Sequence, residues 1–461
     1  MKFFTALAMT LTLIANAHSQ ETRNTLLPAN YRHYAPSIVP DRVVLVPTAT
    51  PAHSQSVNWR TDTGVKEATA QIAKAEDQPG LHLRARTVIG ETRALTTENG
   101  AAHHHSLTFE GLEEDTLYAY RVKGGDTWSE WFQFRTPQAG FHPYDILYFG
   151  DAQNAVKSHF SRVIREAHST LPRGSLMIHA GDLVNSRDGV HDDEWGEWFD
   201  AGGWLHGMTN QLVAAGNHEY IEPEPDALRH LAPHWPVQFG TPGNGPEDMR
   251  DTVYFTDYQG VRYIVLDSMA AIQDEDNARL QAAWLEDVLK TNTARWTIVI
   301  HHHPVFSVSL GRDNPSLRQH WQPLYEKYGV HLVLQGHDHT YGRGANVAEG
   351  TRARSAGQGP VYVVSVAGPK MYLVAEAAEQ AMERTAEDTQ LFQVIRFAKD
   401  RLSYESLTAT GRLYDAFDLV ISKNKRIKLV EKRPRTVENR CTNPQPIRED
   451  RCWNGTELIM P

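Results

Sequence analysis

Residues 332–344 have the sequence LVLQGHDHTYGRG, which combines an apolar run with two closely spaced histidines. Three apolar residues run into a Gln-Gly turn, after which His337 and His339 flank an aspartate. Two side chains that lie two positions apart in an extended segment point to opposite sides of the chain. These histidines could reach one metal ion only if the segment bends, whereas two neighbouring metal ions would suit them directly. The stretch therefore predicts a buried strand that ends at a metal-binding loop.

Four further apolar runs end in polar side chains that can bind metals. The runs are DILYFGD, which ends at Asp151, SLMIHAGD at Asp182, NQLVAAGNHE at Asn217 and His218, and RWTIVIHHHP at His301–His303. In open α/β sheets ligands bind outside the carboxyl ends of the strands. A single such ending is explained equally well by a capping aspartate or a buried histidine. Five together, offering only oxygen and imidazole donors, indicate a site for hard to borderline metal ions.

The texture of the sequence divides the chain into two main parts. Residues 37–137 alternate in polarity and are punctuated by Gly, Asp and Thr, which predicts an all-β domain. The segment GLEEDTLYAY resembles the tyrosine corner of a fibronectin type III sandwich, with Tyr118 as the corner residue. We expect His103–His105, just before it, at the exposed start of a strand. Residues 138–420 alternate short β-branched runs with amphipathic segments such as HFSRVIREAHST, which predicts an α/β domain.

The blocks GDAQ, GDLVN, GNHE, VIHH and GHDH occur in this order. They resemble the calcineurin-like metallophosphoesterases, and most closely the purple acid phosphatase branch. One block alone is modestly specific, but five in order are highly specific. The resemblance runs from about residue 37 to 420. It implies an N-terminal fibronectin type III-like β-sandwich followed by an α/β metallophosphoesterase domain, in which helices flank a central β-sandwich.

The resemblance also implies a ligand set for two metal ions. Carried over by position, Asp182 is the carboxylate that bridges the two ions. The other ligands are Asp151 and His339 for the first ion, and Asn217, His302 and His337 for the second. His301 and His303 are expected to pack or to support the ligands.

Two positions depart from the family pattern. Purple acid phosphatases have a tyrosine three positions after the bridging aspartate, where this chain has Asn185. Other branches have a histidine two positions after the first aspartate, where this chain has Gln153. The first metal site is completed by Gln153, by Asn185 or by water. Without a tyrosinate ligand we expect a protein that is not purple and binds divalent iron, zinc or manganese.

The resemblance implies hydrolysis of phosphate esters by a metal-bound hydroxide. Metal coordination lowers the pKa of water from about 15.7 to about 7, which no side-chain base could match. His218 resembles the family's histidine beside the substrate and is the candidate general acid. Arg312 either binds a phosphate oxygen through its planar fork or pairs with Asp313. Glu219 either orients His218 or caps a helix.

Two further features of the sequence concern export and the carboxyl-terminal end. Residues 1–17 combine a lysine, an apolar run and an Ala-Asn-Ala site, which predicts a signal peptide cleaved after Ala17. The apolar run is too short to span a bilayer, so we expect a periplasmic or secreted protein without a membrane anchor. Residues 421–461 form a basic extension whose cysteines, Cys441 and Cys452, predict one local disulfide.

Composition narrows the partners and leaves several functions open. The net charge of −10 argues against nucleic acid as a partner. The family resemblance implies a small phosphorylated substrate. The first reading is a phosphomonoesterase that resembles an acid phosphatase. A phosphodiesterase, nucleotidase or pyrophosphatase on the same metal centre is the alternative, because substrate choice lies in the loops 185–200 and 305–320. A non-catalytic two-domain binding protein is a minor third reading, and the sequence does not indicate the oligomeric state.

Overall fold

The computed structural model describes residues 25–28, 31–187, 189–222, 227–345, 360–421, 427–442 and 451–453. The predicted signal peptide lies outside these ranges. The predicted fold class is confirmed, because an all-β sandwich precedes an α/β domain with two stacked sheets. None of the helices in the described ranges has the length and apolar character needed to cross a membrane.

The N-terminal domain is a sandwich of two antiparallel sheets. Its strands are β1 (Asp41–Val46), β2 (Ser54–Asp62), β3 (Thr69–Lys74), β4 (Arg86–Ile89), β5 (Glu91–Thr97), β6 (Gly100–Glu110), β7 (Leu117–Gly124), β8 (Thr127–Trp128) and β9 (Phe132–Arg135), with a 3-10 turn at Leu81–Leu83. Strands β1, β2, β6 and β5 form one sheet, and β4, β3, β7 and β9 form the other. Trp59, Phe109 and Tyr120 are buried between the sheets. The Tyr118 hydroxyl accepts a hydrogen bond from the Glu113 N–H at 2.9 Å, as expected of a tyrosine corner.

The histidine triplet lies inside a strand, so its predicted position at an exposed strand start was wrong. His103–His105 occupy the middle of β6, which is flanked on both sides by strands β2 and β5. His105 is fully buried, stacks on Trp59 and bonds Thr61 at 2.8 Å. His104 and His105 are therefore buried, whereas His103 is partly exposed.

The first half of the second domain supplies three parallel strands. Its elements are β10 (Tyr144–Phe149), α1 (Val156–Thr170), β11 (Leu176–Ala180), α2 (His191–Gly202), β12 (Asn210–Ala214), β13 (Tyr220–Ile221), β14 (His230–Leu231) and α3 (His234–Gln238), with 3-10 turns at Gly203–Leu205 and Glu247–Met249. Strands β10, β11 and β12 are parallel neighbours, so their carboxyl ends share one edge of the sheet.

The second half supplies the facing sheet and the end of the chain. Its elements are β15 (Tyr254–Tyr258), β16 (Val261–Val265), α4 (Ser268–Gln273), α5 (Glu275–Lys290), β17 (Trp296–Ile300), α6 (Pro315–His320), α7 (Gln322–Tyr328), β18 (Leu332–Gln335), β19 (Tyr341–Ala345), β20 (Val361–Val364), β21 (Met371–Tyr372), α8 (Glu376–Ala381), β22 (Arg384–Ala386), β23 (Leu391–Ala398), β24 (Arg401–Thr408), β25 (Leu413–Ile421), β26 (Ile427–Glu431) and β27 (Arg451–Trp453). Strands β17 and β18 are parallel neighbours in the sheet that runs from β15 to β22.

The two sheets of the second domain stack face to face between outer helices. Because side chains alternate along a strand, Tyr148 enters the core between the sheets, whereas Phe149 packs against Phe160 of α1. On the opposite outer face Val299 packs with Leu285 of α5. The domain therefore has four layers, and the five predicted apolar runs form its central, buried strands.

The two domains share a continuous sheet and a buried ion-pair network. Strand β1 pairs in parallel with β12, with Leu45 opposite Asn210. Beside this junction Asp192, the second residue of α2, accepts from Arg42 at 2.7 Å and from Arg60 at 3.1 Å. Burial opposes ionisation of Asp192, but the two guanidinium groups outweigh it and hold its pKa well below the ordinary value. The sandwich is therefore fixed against the helix that follows the Asp182 loop.

The carboxyl-terminal segment folds back onto the second domain. Strand β26 pairs with β25 at the edge of the long sheet, and β27 pairs with β21. The structure contains the predicted disulfide between Cys441 and Cys452. This disulfide ties β27 to the segment that crosses the domain after β26.

Candidate metal centre

The candidate ligands lie on loops whose backbone is strained. Asp151, Asp182, His337 and His339 have φ values of 25°, 52°, 72° and 51°. Residues other than glycine rarely adopt this left-handed backbone region, and each residue held there costs about 1–3 kcal/mol of folding free energy. These positions follow strands β10, β11 and β18 directly, so the fold holds them in unfavourable conformations at one edge. Strain of this kind concentrated in one place is typical of functional sites.

The loops bring the six predicted ligand positions together. Ligand atoms of Asp151, Asp182 and His339 lie within 4.8 Å of one another, as do those of His302, His303 and His337. The Asp182 carboxylate is 3.1 Å from His302 Nε2, so it stands between the two groups. The Asn217 side-chain oxygen lies 3.2 Å from the same nitrogen. The turn at His337–His339 thus sends its two histidines to different groups, as their spacing predicts.

Glycines leave room for these carboxylates. A Cβ atom on Gly336 would lie 2.3 Å from an oxygen of Asp151, and one on Gly216 would lie 2.3 Å from an oxygen of Asp182. Both distances are far below van der Waals contact. The glycines of the GHDH and GNHE blocks are therefore needed for close approach of the loops.

The electrostatics of the cluster fit bound cations. Burial raises the pKa of Asp151 well above its ordinary value, and the nearby Asp182 raises it further. Burial also lowers the pKa values of His337 and His339, which leaves both rings neutral, the form that binds metals. Oδ1 of Asp151 has no hydrogen-bond partner among the described residues. Two buried carboxylates and neutral imidazoles at this spacing are a suitable donor set for metal ions.

Gln153 lies inside the first group. Its amide nitrogen is 2.7 Å from Asp182 Oδ2 and 3.0 Å from His339 Nε2. Its amide oxygen is buried and has no hydrogen-bond partner in the described part of the chain. Because oxygen and nitrogen of an amide are exchanged by a simple rotation, the side chain can present its oxygen to the same point.

His218 faces the cluster in a fixed orientation. Its Nδ1 donates to the carbonyl oxygen of Asn185, and its Nε2 lies 3.9 Å from Asp182 Oδ2. Burial lowers the pKa of His218 to about 3, although Asp182 opposes this shift. The ring is therefore neutral near pH 7, even with the Asp182 carboxylate beside it.

Glu219 has a role that neither sequence-based alternative anticipates. Its carboxylate accepts from the backbone N–H groups of Asp182 at 2.9 Å, Leu183 at 2.8 Å and Gly216 at 2.7 Å. It thereby ties the loop after β11 to the loop after β12. This structural role of Glu219 is visible only in the folded protein, because the two loops it joins are separate in the sequence.

Arg312 lies at the candidate centre and does not pair with Asp313. It donates to the carbonyl oxygen of His337 and lies 3.5 Å from Asp338 Oδ1. Asp313 instead pairs with Arg318 at 2.7 Å. The pairing alternative was therefore wrong, and the arginine remains available to the site.

The supporting residues divide into two places. His301 packs on Trp321 and contributes no atom to either ligand group, whereas His303 lies within the second group and bonds Ser268 at 2.9 Å. Tyr341 and Arg343 bond Asp415 in the core, at 2.8 and 2.9 Å, and so anchor the strand after His339.

The predicted specificity loops contain short helices. Residues 185–200 include most of α2, whose Glu194 accepts from the Asn185 N–H at 2.6 Å. Residues 305–320 include α6.

Sequence reasoning did not identify Lys370 and Tyr372, which also border the centre. The Tyr372 ring lies 4.9 Å from that of His339.

Comparisons with known proteins match both domains to known families. The family described as "Purple acid Phosphatase, N-terminal domain" matches residues 40–136, and "Calcineurin-like phosphoesterase" matches residues 144–341. The chain is 28% identical over 306 residues to purple acid phosphatase 23 of Arabidopsis thaliana, covering 58% of this chain and 62% of the relative. It is 27% identical over 310 residues to the Fe(3+)-Zn(2+) purple acid phosphatase 12 of the same plant, covering 63% and 62%. The matched region thus spans 62% of each relative's length.

A solved structure supports the fold. The purple acid phosphatase PPD1 from yellow lupin (Lupinus luteus) seeds superposes with a TM-score of 0.68 at 18% identity. The match covers 84% of this chain and 75% of that one, so it includes both domains.

Proposed function

The chain belongs to the calcineurin-like phosphoesterases and carries the N-terminal domain of purple acid phosphatases, and from this premise we propose that it is a dinuclear-metal phosphomonoesterase. One observation carries the proposal. The six predicted ligand positions, which lie on five separate loops, converge on two groups with Asp182 between them. Buried carboxylates are costly without a partner, so apolar side chains would stabilise the fold better at these positions. The convergence is therefore better explained by bound metal ions than by a structural role.

Two metal ions would be held by the chain's own oxygen and imidazole donors. Asp151 and His339 would bind the first, and Asn217, His302 and His337 the second, with Asp182 between them. When bound, such a pair activates water and polarises phosphate oxygens. The relative named as an Fe(3+)-Zn(2+) enzyme uses iron and zinc. Asn185 here offers no tyrosinate, so we propose divalent iron, zinc or manganese in both sites.

Gln153 completes the first site in this proposal. Its amide already contacts both Asp182 and His339, which are ligands of that site. Rotation of the amide would place the oxygen, a hard donor, where the nitrogen now lies. These two side-chain contacts favour Gln153 over Asn185 for this position.

His218 would donate a proton to the leaving group. The Asn185 carbonyl fixes the ring so that Nε2 faces the centre. The ring is neutral in the free protein, and a phosphate dianion beside it would stabilise the protonated form. Substrate binding would therefore prepare the general acid.

A paired-substrate assay tests the proposed reaction. We expect the mature protein, supplied with manganese, iron or zinc, to hydrolyse 4-nitrophenyl phosphate with at least about tenfold higher kcat/KM than bis(4-nitrophenyl) phosphate. The reason is that a monoester dianion has one more anionic oxygen for this cationic site than a diester. Protein treated with a chelator is the control and should be inactive on both. A preference for the diester would contradict the monoesterase assignment, and no metal-dependent turnover of either would favour the binding-protein alternative.

We also propose that the protein is exported. The sequence of residues 1–17 and the disulfide between Cys441 and Cys452 support this, because disulfides persist in oxidising compartments. N-terminal sequencing of the protein recovered from its native host should begin at His18. Recovery of the unprocessed N-terminus would contradict export.

A further inference from the structure

Three cationic side chains surround one aromatic ring beside the candidate centre. Tyr372 is buried, and its backbone N–H donates to the His339 carbonyl oxygen at 3.0 Å. The guanidinium carbons of Arg312 and Arg451 each lie 4.7 Å from the centre of its ring, and the Lys370 nitrogen lies 5.7 Å from it. The two guanidinium groups are therefore no farther apart than twice that distance. We call Arg312, Lys370 and Arg451 the cation cluster.

The three cations come from separate parts of the chain. Arg312 lies on the loop after β17, and Lys370 lies between β20 and β21. Arg451 begins β27, where it is opposite Tyr372 in the pairing with β21. Neighbouring Cys452 forms the disulfide, and Trp453 donates to Asp388 at 2.5 Å. The carboxyl-terminal strand is thus fastened by the two residues that follow Arg451.

The charges of the cluster favour an anionic ligand. In the described ranges the Lys370 side chain forms no ion pair and no hydrogen bond, and its ammonium group lies near the Tyr372 ring. Burial lowers the pKa of Lys370 to about 8, opposed by attraction to Asp182, and both Arg451 and Arg312 lower it further. Lys370 therefore interacts electrostatically both with Asp182 of the candidate centre and with Arg451. Asp338, 3.5 Å from Arg312, offsets one of these charges, and an anion bound between the three cations would be attracted by all of them.

We propose that the cation cluster binds a second anionic group of the substrate, a carboxylate or a second phosphate on the leaving group. This rests on the proposed phosphomonoesterase function, in which the metal ligands and His218 engage the phosphoryl group that is transferred. Arg312 adjoins His337, and Arg451 lies against the Tyr372 ring, which Arg312 also contacts. Guanidinium groups bind carboxylate and phosphate through paired N–H donors, which suits either anion. The preferred substrates would then be phosphate esters with two acidic groups.

Matched aryl phosphates test the inference. The substrates are phenyl phosphate, 4-carboxyphenyl phosphate and 1,4-phenylene bisphosphate, and the readout is kcat/KM per phosphate group on each acidic ester divided by kcat/KM on phenyl phosphate. We expect both ratios or one of them to exceed unity in the native protein, and the responding ester identifies the anion. Arg451→Gln should lower that ratio roughly tenfold, mainly through KM, because one charge-assisted contact is lost. Arg435→Gln is the control, since Arg435 is exposed in the same extension and contacts neither Tyr372 nor Lys370.

The outcomes separate the inference from the proposed function. If no ester is hydrolysed, the proposed function fails. If phenyl phosphate is hydrolysed but neither ratio exceeds unity, or if Arg451→Gln leaves both ratios unchanged, the second-anion site is wrong. The double variant Cys441→Ser, Cys452→Ser gives an independent reading. It should lower the same ratio, because β27 is no longer tied next to Tyr372.

Discussion

Replacement of Asp182 by alanine should remove both metal ions and abolish hydrolysis, with a loss in kcat/KM on the order of 10³ or more. The Asp182 carboxylate touches both ligand groups, at 3.1 Å from His302 and 2.7 Å from the Gln153 amide. Its removal leaves Asp151 and three or more neutral donors without the charge that holds two cations together. Metal content of the purified variant, measured by inductively coupled plasma mass spectrometry beside its turnover, checks this result.

Gln153→Leu is the matched comparison for Asp182→Ala. This substitution removes a neutral donor from one group only, so we expect roughly 10–100-fold weaker binding of one metal equivalent and little change in the other. Competition with a graded chelator measures the two affinities separately. If Asp182→Ala retained both metals and full turnover, the bridging assignment would be wrong. If Gln153→Leu bound both metals normally, the first site would be completed by another group.

Replacement of His218 by glutamine should slow hydrolysis in proportion to how poorly the leaving group departs. For an alkyl phosphate, whose alkoxide needs a proton, we expect a loss of roughly 10²–10³ in kcat. For 4-nitrophenyl phosphate, whose anion is stable without a proton, the loss should be less than about tenfold. A plot of log kcat against leaving-group pKa should therefore be steeper in the variant than in the native protein.

The control for His218 is another buried histidine. His179 lies in β11, stacks on Phe149 and bonds Gln211 at 2.9 Å, away from the ligand groups. His179→Gln should change the fraction of folded protein but leave the slope of the plot unaltered. Equal losses on every leaving group in His218→Gln would show that His218 supports the structure and is not the acid.

The structure connects the N-terminal sandwich to this proposed acid. Arg42 and Arg60 of the sandwich hold Asp192 at the start of α2. Two residues later Glu194 accepts from the Asn185 N–H, and the Asn185 carbonyl orients His218. A series of buried contacts therefore links the sandwich to the residue that orients the His218 ring.

The candidate metal ligands could be found in the sequence because each lies at the end of an apolar run. A strand buried on both faces is visible as a continuous apolar segment, and a glycine followed by a polar residue marks its end. The rule that ligands bind at the carboxyl ends of parallel strands then brings Asp151, Asp182 and His337 to one edge. The apolar run and the glycine that ends it are adjacent in the chain, so both can be recognised from the sequence alone.

Other features could not be inferred, because they depend on segments far apart in the chain. His104 and His105 were expected at the surface, but strands on both sides of β6 bury them. Arg312 could have paired with its neighbour Asp313, and only the folded loop shows that it lies against His337.

The sequence by itself determined the order of the domains, the five ligand-bearing strand ends and the pairing of the two cysteines. Each of these rests on residue type, periodicity or spacing within a few positions. Only the tertiary structure decided that Glu219 ties two loops together, that Gln153 lies in the first ligand group and that Arg451 reaches Tyr372. These contacts join residues that are separated by up to 186 positions. Local chemistry specifies which groups can bind a metal, whereas the packing of distant segments decides what surrounds it.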